Sequence, residues 1–219
     1  ALVLGTDVQT YYEKRGYELR GTEMELLDNA VWLYFQGQKI SGSETVCHFL
    51  YNYANSKFLD IYEEESFDIN GYYDSWLLRG DAPECYLQDV EEHSFSSVQL
   101  SIDPWIRYTF NDNKFAVTAR RNKAACHLYA KYHYNRHVRE TGDKTTTFRL
   151  PHNIRKEYVL LLEQIQQRML IRLERLHIAI ECNPSSNYKI GEMERYDEHP
   201  ILKFYNVGIK TPYPTHEVS

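Results

Sequence analysis

Long apolar runs are missing from this sequence; none approaches the roughly 20 residues that cross a bilayer, so no membrane span is expected. Cysteine is sparse and scattered. Cys47, Cys85, Cys126 and Cys182 form no C-x-x-C pair, which argues against a zinc knuckle or a redox dithiol. Free thiols in a reducing cytoplasm are the simplest expectation, with two disulfides in a secreted chain as the alternative. A basic surplus is absent as well: the net charge of −6 and the pI of about 5.9 argue against nucleic-acid binding by the whole molecule. There is no internal repeat and no low-complexity tract, which excludes a solenoid. Ala1-Leu-Val-Leu-Gly5 carries no Met, no basic leader and no signal-cleavage pattern, and it reads as a strand already under way. The expectation is a section of a longer, globular, cytoplasmic chain.

What is present is unevenly distributed. Between Asp60 and Glu92 the chain is acidic, with Glu63, Glu64, Glu65, Asp68, Asp74, Asp81, Glu84, Asp89, Glu91 and Glu92 against Arg79. From Lys114 to Lys144 the balance reverses, with Arg120, Arg121, Lys123, Lys131, Arg136 and Arg139 against Glu140 and Asp143. The basic stretch is interleaved with Tyr129, Tyr132 and Tyr134, a pattern that suits phosphate or single-stranded nucleic acid. It equally suits a helix docked on the acidic segment. The 19 tyrosines also suit protein interfaces, because each ring offers contact area with a polar tip, while core packing would consume many of them.

Helical spacing dominates the middle of the chain. A short helix is expected over Val8–Lys14, and Thr22-Glu-Met-Glu25 reads as a capping box opening a helix to about Phe35, with Gly37 placed to end it. Ser43 or Glu44 opens a second long helix ending near Glu65. Asn70-Gly71 reads as a turn, followed by a shorter helix over Tyr72–Leu78 that Arg79-Gly-Asp-Ala-Pro83 stops. Alternation over Ser97–Ile102 predicts a strand. Phe115–Arg139 reads as one long helix and Asn153–Leu176 as another, with Tyr158, Leu161, Leu162, Ile165, Met169, Leu170 and Leu173 on its buried face and Gln166 among the residues facing water. The period then changes: His177–Cys182 is a short apolar run of the buried-strand type, and Asn183-Pro-Ser-Ser-Asn187 is a polar loop straight after it. Asp197–Tyr205 reads as a further helix. The fold class expected is mainly α with a few short strands, as partial (β/α)8 barrel segments at 1–15 and 176–219 flanking a helical insertion over 16–175.

The most informative run is Ile178-Ala-Ile-Glu-Cys-Asn-Pro-Ser-Ser-Asn187. A carboxylate near the end of a buried strand needs partners, and the loop after a barrel strand lies on the functional face. The run resembles the hydrophobic-Glu-x-Cys-Pro-(Thr/Ser)-Ser-Asn motif of the adenosine deaminase family, found there on the seventh barrel strand. Glu181, Pro184, Ser185, Ser186 and Asn187 match, whereas Asn183 stands where the family usually has Cys. His199-Pro200 resembles the family's His-Pro element before the last strand, and Ala1–Gly5 resembles the segment just after its Arg-Ile-Gly-His signature.

The resemblance implies a zinc-dependent hydrolase acting on a purine nucleoside or nucleotide. It also implies a homo-oligomer, since large insertions and assembly occur in antiphage deaminases of the RADAR type. The family's zinc ligands are implied to lie before Ala1 and after Ser219, so no catalytic residue and no metal ligand is expected within the chain. Glu181, Asn183, Pro184, Ser185, Ser186, Asn187 and His199 are the residues expected to line or brace the pocket. Two other readings stay open: a helical interaction or assembly module without activity, and phosphate or RNA binding through 114–144. His133 and His137, one helical turn apart with His127 and Glu140 near, also allow a metal pair to be drawn, although solvated histidines fit the same spacing.

Overall fold

The computed structural model describes residues 7–89 and 114–177. The chain divides into two compact units, 18–149 and 1–17 with 150–219. Among the described residues the architecture is mainly helical, with a single two-stranded sheet. The strand expected at the start of the chain, the one expected at 97–102, and the strand, loop and helix expected from His177 onward fall on residues that, His177 apart, lie outside the described ones. No described helix is long and apolar enough to cross a membrane.

In the first of these units, β1 (Glu18–Thr22) leads into α2 (Glu23–Gly37), α3 (Glu44–Tyr62) and α4 (Ile69–Leu77); α1 is Val8–Lys14, of the other unit. Thr22 Oγ1 accepts the Glu25 N–H while the Glu25 carboxylate accepts the Thr22 N–H, the capping box expected from sequence. The turn between α2 and α3 is held by Ser43, whose buried hydroxyl lies 2.7 Å from the carbonyl oxygens of Gly37 and Ile40. A left-handed Glu63 ends α3.

Asn70-Gly71 is not a turn but part of the first turn of α4. Asp68 caps that helix by accepting the Asn70 N–H, and a Cβ at position 71 would meet its Oδ2 at 2.7 Å, so glycine is there for the cap.

The expected long helix over 115–139 is broken twice, giving α5 (Lys114–Ala119), α6 (Lys123–Tyr134) and α7 (Arg136–Gly142). Asn122 and Asn135 are responsible. Each takes an extended backbone and its side-chain oxygen accepts the N–H three residues on, from Ala125 and Val138, restarting the helix rather than continuing it. Strand β2 (Thr145–Arg149) then pairs antiparallel with β1, Glu18 opposite Arg149 and Thr22 opposite Thr145. The first and last residues of the unit are therefore neighbours.

Its core is continuous hydrocarbon between α2 and α3, from Leu27, Val31, Leu50, Ala54, Phe58 and Ile61. A second cluster joins Leu78, Tyr86, Ala116, Ala119, Ala125, Cys126, Tyr129 and Ala130. The alanines let backbones approach closely there.

In the other unit, a single 3-10 turn (His152–Ile154) precedes α8 (Arg155–Arg175), and Tyr12 of α1 meets Tyr158 of α8 edge-on at 5.7 Å. The buried stripe of α8 runs through Val159, Leu162, Gln166 and Leu170, so Gln166 is inside and Met169 outside. A spacing of three, four and four residues puts 166 on the same face as 159, 162 and 170 whatever its polarity.

Candidate functional site

Glu181, Asn183, Pro184, Ser185, Ser186, Asn187 and His199 lie outside the described residues. The chemistry that can be built is in the unit 18–149, where the acidic and basic stretches meet.

Asp81 stands just after the single 3-10 turn Leu78–Gly80 and its side chain is fully buried. Arg120, at the end of α5, donates to both of its oxygens, Nε to Oδ2 at 2.8 Å and Nη2 to Oδ1 at 2.7 Å. The Tyr86 hydroxyl donates to Oδ2 at 2.6 Å, and the Tyr129 hydroxyl of α6 donates to the Asp81 carbonyl at 2.7 Å. The carboxylate is thereby neutralised and filled with donors, as a buried charge requires. Burial, and the hydrogen bond to Asp81, push the Tyr86 hydroxyl well above the usual phenol range. The hydrogen bonds to Asp81 hold Arg120 above the usual arginine range. Neither group releases a proton near neutral pH.

A second clasp is built on Asp28 of α2. Arg79 donates to its two oxygens at 2.5 and 3.0 Å, and the Tyr72 hydroxyl donates to Oδ1 at 2.7 Å. The Arg79 guanidinium also lies over the Tyr132 ring of α6, 4.2 Å from its centroid. Burial works against the Arg79 charge, but the hydrogen bonds and charge of Asp28 outweigh it and hold the pKa up. Burial likewise raises Tyr72 and Tyr62 far above a free phenol.

Further contacts join the same two stretches. Lys131 pairs with Glu64, Asn122 Nδ2 donates to Asp74 Oδ2 at 3.0 Å, and His137 Nε2 lies 3.6 Å from Glu63. The charge asymmetry of the sequence is thus in part an internal dock. Arg120 and Lys131, two of the cations proposed for phosphate, are held by carboxylates.

His133 and His137 do not share a helix. The extended Asn135 separates α6 from α7; the His133 ring is packed against Tyr129 and Tyr132, whereas His137 is exposed beside Thr141 and Glu63. Among the described residues no group of three His, Cys, Asp or Glu side chains could hold a metal ion. Cys47, Cys85 and Cys126 are free thiols.

The two clasps escaped sequence reasoning. Arg79-Gly-Asp81 reads as a helix stop, yet two opposite charges inside a stop next to Pro83 were the available signal. What this polar network does chemically is hold helices, since Asp28, Asp81, Arg79, Arg120, Tyr72 and Tyr86 spend hydrogen bonds on one another. No known family's sequence profile matches the chain, and no curated protein matches it.

Proposed function

We propose that this chain is a stretch of a zinc-dependent, adenosine deaminase-like hydrolase acting on a purine nucleoside or nucleotide, into which residues 18–149 are inserted as a helical module. The observation that carries the reading is the residue run Glu181-Cys-Asn-Pro-Ser-Ser-Asn187 straight after the apolar Ile178-Ala-Ile180. The paired strands at the base of the unit support it: Glu18 opposite Arg149 means that the module leaves and rejoins the chain at one place. An insertion of that form need not separate what it interrupts. In this reading Glu181, Ser186 and Asn187 brace the substrate pocket. Zinc, which the resemblance places on residues outside this chain, would supply an activated water for the hydrolysis.

The test is ammonia release from adenosine and adenine nucleotides by the intact parent protein, with and without a zinc chelator, for the wild type and Glu181→Gln. Release that needs zinc and falls at least tenfold in the variant supports the reading. No release from any purine, or release indifferent to chelation, overturns it.

A second reading, an assembly module, is favoured by the row Phe35, Tyr73 and Trp76: successive ring centroids stand 4.3 and 6.0 Å apart, and Trp76 is 37% exposed. Light scattering on the intact protein and on Trp76→Ala tests it, since a module that assembles through this row loses mass in the variant. Phosphate or RNA binding through 114–144 is less favoured, because Asp81 and Glu64 already hold Arg120 and Lys131.

A further inference from the structure

His133 lies near the end of α6 with its ring edge-on to Tyr129 and Tyr132, centroids 4.7 and 4.9 Å away. Its Nε2 is buried and has no hydrogen-bond partner. The groups facing it come from each element packed on α6. The turn Leu78–Gly80 contributes Arg79, Pro83–Asp89 contributes Glu84, and α7 contributes Arg139. From α6 itself come the phenols Tyr129, Tyr132 and Tyr134, and α4 brings Asp74, bonded to Asn122 at the other end of α6. Arg79, itself paired with Asp28, and Arg139 thus stand against the carboxylate of Glu84. Arg79 is held in place, because Asp28 grips both of its terminal nitrogens.

A neutral imidazole tolerates this setting, whereas an imidazolium adds a third cation with its N–H facing no acceptor. We propose that His133 is a proton-operated release for α6: protonation drives the end of that helix off Arg79 and the Leu78–Gly80 turn, while α2 and α3 stay packed. The direction of its titration agrees. Burial, and after it Arg79, hold the His133 pKa below the usual histidine range. The released state therefore binds more protons than the closed one in the window below about pH 6.5, and the closed contact weakens as pH falls through that window. Above it, pH has no effect through this group.

The test is amide hydrogen exchange of the full chain between about pH 8 and pH 5, the range over which histidines titrate, with rates corrected for intrinsic exchange. Protection over Lys123–Tyr134 should fall by up to about tenfold per pH unit, the limit for one proton, with α2 and α3 unchanged. In His133→Phe the loss should vanish, while His137→Phe should keep it. Equal loss in His133→Phe, or flat protection in the wild type, overturns the proposal. Should His133→Phe fail to fold, the NMR titration of the wild-type ring decides: a ring titrating below the ordinary histidine range in step with α6 opening supports the release, and one titrating in the ordinary range overturns it.

Discussion

The α2–α3 pair and the joints around the Leu78–Gly80 turn lie in the same unit but are made by different chemistry. Leu27, Val31, Leu50, Ala54, Phe58 and Ile61 make the first joint from hydrocarbon. The second ties the Leu78–Gly80 turn and Asp81 beside it to α2 and to the end of α5 through two arginines and two aspartates, Arg79 with Asp28 and Arg120 with Asp81, with a phenol on each carboxylate. A hydrocarbon joint loses stability in proportion to what is removed. A buried ion pair fails differently, since deleting one partner strands the other charge.

The largest effect should come from Asp81→Ala, which leaves Arg120 and Tyr86 facing an empty place and should cost about 3–5 kcal/mol in denaturant unfolding. Replacing both partners, as in Asp81→Leu with Arg120→Met, should cost less than the single change; an equal or larger cost would mean that the pair is net stabilising. Leu27→Ala in the apolar joint should cost about 2–5 kcal/mol and should show no rescue of that kind by any charge change. Thr22→Ala, which removes half of the capping box, should cost about 1 kcal/mol. Arg136→Ala breaks the exposed pair with Glu140 and should leave the melting temperature unchanged.

Legibility in the sequence followed the same division. Local signals were readable: the helix over Val8–Lys14, the Thr22–Glu25 capping box and the start of α3 at Glu44 follow from neighbours along the chain. Long-range pairings were not. Strand β1 carries Glu, Arg and Gly without alternation, and Glu18 meets Arg149 across the whole unit, so no local window contains the reason for the strand. Asn122 and Asn135 were overlooked as helix starts because the surrounding Ala, Lys and Arg favour helix strongly, yet one capping bond at each was enough to divide it. Gln166 was placed outside by polarity, although its position on the stripe decided. Of the candidate pocket, the motif Glu181–Asn187 is legible as a pattern of residue types.

A unit whose first and last residues pair in a two-stranded base, and whose two clasps lie among its own described residues, should fold without the rest of the protein. Thermal unfolding of the segment 18–149 by itself, followed by circular dichroism, tests this most directly. The account predicts a helical spectrum lost in one cooperative step, moved to lower temperature by Asp81→Ala. A segment without helical signal, or one that melts gradually and ignores Asp81→Ala, would contradict it.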